Sequence, residues 1–465
     1  MMKTTIQFWS GLQTIGGNIA SIQYGNDRVI FDFGLVYDPV NNVLDHHIQM
    51  REESGVIDYL KLGLIPALPG IYAKKELLQD KLGEYSQLES CDESHINTAV
   101  FISHLHLDHM GAVGFIDPKV PVYLSEPSLA LYNVLAEVGE NVKGSRDYSS
   151  FVYENAVHIG EIIVTPIKVD HDVLGATSFH IQTPDGTFVY SGDLRMHGQH
   201  PEWNTHWVEK VKELGVDVLL IEGTTLSPTT DSRTVKKEVV TEVEIPSIVE
   251  NIGTKYNGLM LFNMYQRNTD RIENFSKAAT KVNRKLVFEP ETAYIAHCLK
   301  LKAEFSLFMT EKDNKLLESS NLPAWKESIY NQYEIVRADD INENPGHYIL
   351  QNSYHHLLQL LDLKLEQAVY IHANGVPLGE FDPAYHNLLR FLEKYKVAFQ
   401  PLTISGHAYK EDLFALADNI KPNYIIPWHS YHPNLFKSSY SEILLPKYNT
   451  QYNLKNGKLE IEIGE

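Results

Sequence analysis

The sequence predicts an α/β protein in two parts: an early unit of short strands edged by a histidine-rich loop, and a later unit in which helices and strands alternate. Three observations predict it. Residues 4–9, 17–24 and 28–33 read as three short strands separated by glycine-containing turns, with Thr14-Ile15-Gly16-Gly17-Asn18 before the second. The run His104-Leu105-His106-Leu107-Asp108-His109 follows an apolar, strand-like stretch at 99–102 and precedes a glycine-bearing turn into a helix. From about 228 to 400 the pattern turns to helices at 233–253, 268–281, 291–301, 353–361 and 383–394, between strands at 258–262, 285–288, 347–351 and 367–371. At 465 residues the chain exceeds one ordinary core, so two units are expected, and 43% hydrophobic residues suffice to fill them.

Composition narrows the function. The formal charge of -20, from 40 basic and 60 acidic residues, argues against a surface that coats nucleic acid by general basicity, although it leaves room for a local basic groove. Two cysteines, Cys91 and Cys298, are too few for a disulfide framework or a cysteine-rich zinc site; reduced thiols in a cytoplasmic protein are expected. No stretch is long and apolar enough for a membrane span, and residues 1–5 read as leading directly into the first strand rather than as a signal peptide.

The histidine loop carries the chemistry. Three imidazoles and one carboxylate within six positions are the ligand types that suit zinc and related divalent metals. On an extended loop His104 and His106 point the same way and can share one ion, while Asp108 and His109, at the turn, can reach a second. The ordinary alternative, a polar loop with incidental histidines, does not account for this density at a strand end. His104, His106, Asp108 and His109 match the HxHxDH signature, and on it the chain resembles the metallo-β-lactamase superfamily.

Further candidates follow in order. Asp32 ends the third strand; the resemblance implies that it orients the metal-binding loop, where a turn-capping aspartate is the plain alternative. Residues 40–95 are polar and irregular, with helical patches near 55–62 and 72–82, surface histidines at 46 and 47, and a loop at 66–70 expected near the mouth of the site. A strand at 120–124 and a helix at 126–138 come next. Strands at 162–169 and 177–182 then flank His171, which would complete the first ion's set with His104 and His106. A hairpin ending at Asp193 supplies a carboxylate that can bridge the two ions. His180, His197, His200 and His206 are read as surface or outer-sphere residues. The strand at 216–221 ends on Glu222, again an edge position. Lys236, Lys237, Arg267, Arg271, Lys277, Lys281, Arg284 and Lys285 can line a groove for a phosphate backbone; most read better as solvated helix faces, with Arg267 the best exception because it follows a strand and opens a helix. Residues 401–407 read as a strand ending in Ser405-Gly406-His407, followed by a helix at 409–419, a strand at 423–427 and a closing hairpin around Asn456-Gly457.

The matching stretches Gly16-Gly17-Asn18, Phe31-Asp32-Phe33-Gly34, Val169-Asp170-His171, Ser191-Gly192-Asp193, Glu222-Gly223-Thr224, Ser405-Gly406-His407-Ala408 and Pro427-Trp428-His429 run in one order across nearly the whole chain. On them the sequence resembles the β-CASP branch of the superfamily, and within it the ribonuclease J family. The resemblance implies an αββα sandwich at 1–226 and 401–465, interrupted by an α/β β-CASP domain at 227–400. It implies two divalent metal ions, zinc or manganese: one on His104, His106 and His171, the other on Asp108, His109 and His429, with Asp193 between them and a metal-bridging hydroxide as nucleophile. Asp108, His407 and Glu222 are the implied catalytic residues; Ser405, His407 and Arg267 would bind substrate. The implied activity is phosphodiester hydrolysis of single-stranded RNA, with 5′-exo or endo action left open and DNA as a lesser substrate. A homodimer is the assembly considered. The rival readings are hydrolysis of a small ester, lactone or phosphodiester on the same metals, and a non-enzymatic nucleic-acid-binding subunit, which the intact ligand set disfavours.

Overall fold

A computed structural model describes residues 2–38, 40–44, 48–49, 51, 54–144, 146–228 and 240–461. His46 and His47, Lys236 and Lys237, and the start of the helix expected at 233–253 lie outside the described residues. The described part of that helix is a single 3-10 turn, Glu242–Glu244, running into Ile245–Gly253.

The strands form three sheets. The first has eight strands and is centred on Thr4–Ser10, Ile19–Tyr24, Asp27–Phe31 and Asn97–Phe101; the closing hairpin Gln451–Lys455 and Lys458–Ile461 is added beside Thr4–Ser10. The second has seven strands and includes Ile162–Lys168, Thr177–Thr183, Gly186–Tyr190, Val218–Glu222 and Tyr424–Trp428. Alternation along the strands places these two sheets face to face. Val29 and Phe31 of one and Val164, Phe179, Phe188 and Leu220 of the other share one buried core, since side chains of like parity point to one face. The opposite parity points outward. Ile30 and Val100 pack under the helix Glu126–Glu137, and Ile167, Val189 and Leu219 pack under the helices Pro201–Leu214 and Lys410–Ile420. The result is the expected αββα sandwich.

The third sheet has seven strands, all paired in parallel, from Met260–Met264 through Val369–Ala373 to Ala398–Pro401. Its helices cover both faces, as parallel strands joined by helical crossovers require. The helix Thr269–Lys281 begins on Asn268, whose side chain accepts from the Arg271 amide, and buries Ile272, Phe275 and Ala279.

Several expectations change. Residues 401–407 do not form a strand of their own. The strand is Ala398–Pro401, which belongs to the third sheet, and 402–409 is irregular chain crossing back toward the sandwich. Asn374 fixes that crossing by accepting from the Ile404 amide at 2.8 Å. The segment 354–362 is a 3-10 run with a kink at His356 rather than an α-helix. The helix Pro201–Leu214 was not expected; its buried face is narrow, with Trp207, Val208 and Val211 as its apolar residues. The loop at 66–70 is tied at its Pro69 end to the start of the third strand. Arg28, at the start of its strand, donates to the Pro69 carbonyl at 2.9 Å, whereas Asp32 lies just beyond that strand's other end.

Candidate metal centre

Six strands of the two face-to-face sheets bring residues at or just past their ends to one edge. Asp32 follows Asp27–Phe31, His104 follows Asn97–Phe101, His171 follows Ile162–Lys168, Asp193 follows Gly186–Tyr190, Glu222 ends Val218–Glu222 and His429 follows Tyr424–Trp428. Two of these turns hold a backbone that non-glycine residues rarely adopt, Asp32 with φ 57° and His429 with φ 50°. Gly34 lets the Asp32 turn pass against the histidine loop: a Cβ there would lie 1.7 Å from the Asp108 carbonyl oxygen.

Donor atoms converge in two groups that meet at one oxygen. His106 Nδ1 lies 3.1 Å from His104 Nε2 and 3.2 Å from His171 Nε2. Asp193 Oδ2 is 3.7 Å from His104 Nε2 and 4.0 Å from His171 Nε2. The same oxygen is 3.1 Å from His109 Nε2 and 3.8 Å from His429 Nε2, and Asp108 Oδ2 stands 3.0 Å from His429 Nε2. Ligands about 2.1 Å from a tetrahedral ion are roughly 3.4 Å from one another, so these spacings suit ligands of one ion in each group. His109 Nε2 and both Asp193 oxygens are buried without a hydrogen-bond partner, which is costly unless a cation meets them.

The outward nitrogens are held. Ser103 Oγ meets His104 Nδ1 at 3.0 Å, the Gly406 carbonyl accepts from His171 Nδ1 at 2.6 Å, and Thr224 Oγ1 meets His429 Nδ1 at 2.7 Å. Asp32 Oδ2 accepts from His109 Nδ1 at 2.8 Å and from the Tyr190 hydroxyl at 2.6 Å; Asp32 Oδ1 takes the Ser103 amide at 2.6 Å. Each such partner fixes ring orientation and leaves the other nitrogen facing the centre.

Electrostatics agree with a dication. Burial pushes His104 and His106 down and His171 down to about 3, so these rings are neutral and can ligate. Burial would lower His109 too, but Asp193, Asp108 and Asp32 carry it well above the usual histidine range. Burial alone would raise the Asp193 and Asp108 carboxyls; facing His109 and His429, both are held well below the carboxylate range. The carboxylates thus remain charged and draw positive charge into the centre.

Residues 98–240 match the family model for the metallo-beta-lactamase superfamily. The chain carries a metallo-β-lactamase domain. Over 433 residues it is 24% identical to ribonuclease J of Pyrococcus abyssi, covering 90% of this chain and 88% of that protein. Over 457 residues it is 23% identical to ribonuclease J of Mycoplasma genitalium, covering 92% of this chain and 68% of that protein. A solved structure of a protein of unknown function from Enterococcus faecalis V583 superposes with a TM-score of 0.77 at 28% identity, over 97% of this chain and all of that one. The metallo-β-lactamase domain and its clustered histidines and aspartates make the protein a metal-dependent hydrolase.

At the rim of the metallo-β-lactamase centre stands His407. Its Nδ1 lies 3.1 Å from Glu222 Oε2 and 3.6 Å from Asp193 Oδ2. Burial would lower its pKa, but Glu222 and Asp193 raise it to about 10. Glu222 is 1% exposed, and its other oxygen accepts from the Leu194 and Ala408 amides, so it ties the returning loop to the strand edge. Ser405 uses its hydroxyl within that loop, accepting from the His407 amide at 3.0 Å.

Arg267 does not face an open groove. It is 6% exposed and donates to the Leu105 carbonyl, so it braces the histidine loop from behind. The other basic residues expected to line a groove, where described, are engaged elsewhere: Arg271 with Glu242, Lys277 with Asn274, Lys281 with Glu250, Arg284 with the Gly258 and Tyr256 carbonyls, and Lys285 with Glu334. Of the histidines read as surface or outer-sphere residues, His180 and His197 are buried, donating to the Gly215 and Ser405 carbonyls. The sequence reading missed Asp172, Thr224, Tyr190 and Tyr265, whose ring packs 5.4 Å from that of His106. For Asp172 and Thr224 the signal was adjacency to His171 and Glu222; Tyr190 and Tyr265 gave none.

Proposed function

We propose that the protein is a dinuclear phosphodiesterase that hydrolyses RNA. The observation that carries this reading is that Asp193 Oδ2 lies within 4.0 Å of both donor groups, the position a bridging ligand needs. His104, His106 and His171 would hold one zinc or manganese ion, and Asp108, His109 and His429 the other. Two adjacent dications, when bound, lower the pKa of water and neutralise charge that develops on a phosphoryl group. Glu222 holds His407 as a cation, fit to meet the scissile phosphate or to give a proton to the leaving oxygen. Asp108 and Asp193 keep the centre anionic and so retain cations there.

Two observations support a polymeric RNA substrate. The similar curated proteins are ribonucleases by name. Exposed aromatic rings also flank the centre. Tyr37, on the segment whose Leu35 amide donates to the Leu107 carbonyl, meets Phe381 from the far side at 6.3 Å, and Tyr431 follows His429 by two positions. Such rings suit stacking of unpaired bases, which favours single-stranded RNA, with DNA the lesser substrate. The domain division 1–226, 227–400 and 401–465 is supported by the run of the third sheet from Met260 to Pro401. Two free cysteines support a cytoplasmic location; a homodimer belongs to the same reading. Among the described residues no helix is long and apolar enough to cross a membrane.

The engagement of every described candidate groove cation keeps one rival in view, a hydrolase of a small ester, lactone or phosphodiester on the same metals. Labelled single-stranded RNA with 5′-monophosphate or 5′-hydroxyl ends, incubated with manganese or zinc beside a His106→Ala control, separates the two. Cleavage by the parent alone supports the nuclease, and product lengths divide exo from endo action. Intact RNA with two metals bound favours the rival.

A further inference from the structure

One carboxylate at the centre has no role in the ligand set above. Asp172 directly follows His171, and its Oδ1 is buried with no hydrogen-bond partner. That oxygen lies 3.3 Å from His171 Nε2, the inward nitrogen, and 3.4 Å from His106 Nε2, the nitrogen of that ring turned away from His104 and His171. Among the described residues no lysine or arginine reaches Asp172 within ion-pair distance: Arg271 is taken by Glu242, and Arg195 by Glu242 and Asp170.

Room for this carboxylate is built into the facing loop. A Cβ at Gly406 would stand 2.8 Å from Asp172 Cγ and Oδ1 and 2.9 Å from Oδ2, so only glycine there lets the side chain lie where it does. The Gly406 carbonyl also takes His171 Nδ1 at 2.6 Å. The loop that carries His407 therefore shapes the first donor group on two sides, orienting His171 and admitting Asp172. A carboxylate oxygen buried without a hydrogen-bond partner is unfavourable, whereas beside a bound dication the same oxygen is favourable.

We propose that Asp172 contributes a carboxylate to the first metal position, beyond His104, His106, His171 and Asp193, and shifts that position toward hard, oxygen-preferring dications such as manganese. The inference rests on the dinuclear reading above. Three imidazoles suit zinc; each added carboxylate raises the relative affinity for manganese, although zinc remains the tighter ion in absolute terms.

The test is metal binding to the full chain, independent of turnover. Manganese and zinc dissociation constants are measured by equilibrium dialysis against competing chelators, with bound manganese followed by its paramagnetic resonance signal, for the parent, Asp172→Asn, Asp172→Ser and Asp172→Glu. The expected result is a loss of manganese affinity at one position by about 10- to 100-fold in the Asn and Ser variants. Zinc should change by much less, and the Glu variant should recover part of the manganese affinity. The metal-free Asn and Ser variants should melt no lower than the parent, because Asp172 Oδ1 makes no hydrogen bond for them to lose. Equal affinities in parent and variants would overturn this proposal and leave the dinuclear reading intact. Equal losses for both ions, or metal-free Asn and Ser variants that both melt well below the parent, would make Asp172 a structural residue and also overturn it. A parent that binds neither ion would end both readings.

Discussion

Glu242 offers the sharpest test of how the third sheet's helices are fixed to the sandwich. Its carboxylate is 0% exposed and lies between two buried guanidinium groups. Arg271 reaches it through Nε at 2.9 Å and a terminal nitrogen at 2.7 Å, and Arg195 at 3.1 Å. Arg195 belongs to the sandwich and Arg271 to the helix Thr269–Lys281, whose side chain also donates to the Ala373 carbonyl. Glu242→Gln removes one negative charge and leaves two buried cations facing a neutral amide. Hydrogen bonds to charged groups contribute about 1.5–3 kcal/mol each, which for three gives about 4.5–9 kcal/mol as an upper sum. The three share one carboxylate and are not additive, and breaking a buried ion pair from one side costs about 3–5 kcal/mol; that is the expected loss. A chain of this size need not unfold in one step, so native-state hydrogen exchange at the amides of Ile245–Gly253 and Thr269–Lys281 is the assay. The opening free energy of those helices should fall by about 3–5 kcal/mol. Arg195 and Arg271 hold Glu242 below the usual carboxylate range against the upward push of burial, so the network is intact above the unfolded carboxylate pKa, near 4.3, and is lost as pH falls through the lower folded value. A change under about 1 kcal/mol, the scale of an exposed pair, would refute the claim that Glu242 is the common counter-ion.

Asp32→Ala should lower metal affinity at the His109 position by about 10- to 100-fold, because His109 loses its Nδ1 partner, and by less at the His104–His106–His171 position, where Asp32 acts only through the Ser103 hydroxyl that meets His104; calorimetric titration of metal-free protein resolves the two. Gly34→Ala should destabilise by about 1–3 kcal/mol or more, read as a lower melting temperature, since its Cβ would overlap the Asp108 carbonyl at 1.7 Å. His356 is raised above the usual histidine range by its hydrogen bond to Glu289, at 3.0 Å, against burial. Its stabilisation is present below about pH 6.5 and fades as pH rises through the folded value, so melting temperatures of the parent and His356→Gln should converge as the solution is made alkaline.

The parts of the fold that the sequence disclosed are those where one physical signal dominates. Unbroken apolar runs such as 99–102 and 218–221 became buried strands, and Asn456-Gly457 became a hairpin turn with both residues at positive φ. The helix Pro201–Leu214 was missed because few of its positions are apolar, and Asn204 takes a buried one by donating to the Arg195 carbonyl. Residues 401–407 looked like a strand because Leu402 and Ile404 alternate with polar residues. Leu402 and Ile404 are indeed buried, yet the chain there makes one more bond to the strand Val369–Ala373, from the Leu402 amide to the His372 carbonyl, and then leaves it, the Ile404 amide donating to the Asn374 side chain. Short strands such as Ser306–Phe308 and Ile335–Val336 carry too few residues to show a period at all.

In the centre the same division has a chemical origin. A ligand must be a histidine or a carboxylate at a strand end, so the residues that can hold metal stand out by type and place. The groups that hold the ligands need only one lone pair, and almost any residue has one. His171 is oriented by a glycine carbonyl, His429 by a threonine hydroxyl and His104 by a serine, none of which is distinctive in a sequence. The basic residues carry the opposite ambiguity. Arginine reads as a phosphate contact, but Arg267, Arg271 and Arg284 spend their donors on carbonyls and one carboxylate inside the protein. Binding of a polyanion would then rest on the metals and on stacking more than on free cations. For short single-stranded RNA this predicts a salt dependence of binding shallower than a groove of several lysines and arginines gives, measurable as the slope of log affinity against log salt concentration. A slope corresponding to many phosphate contacts would refute it.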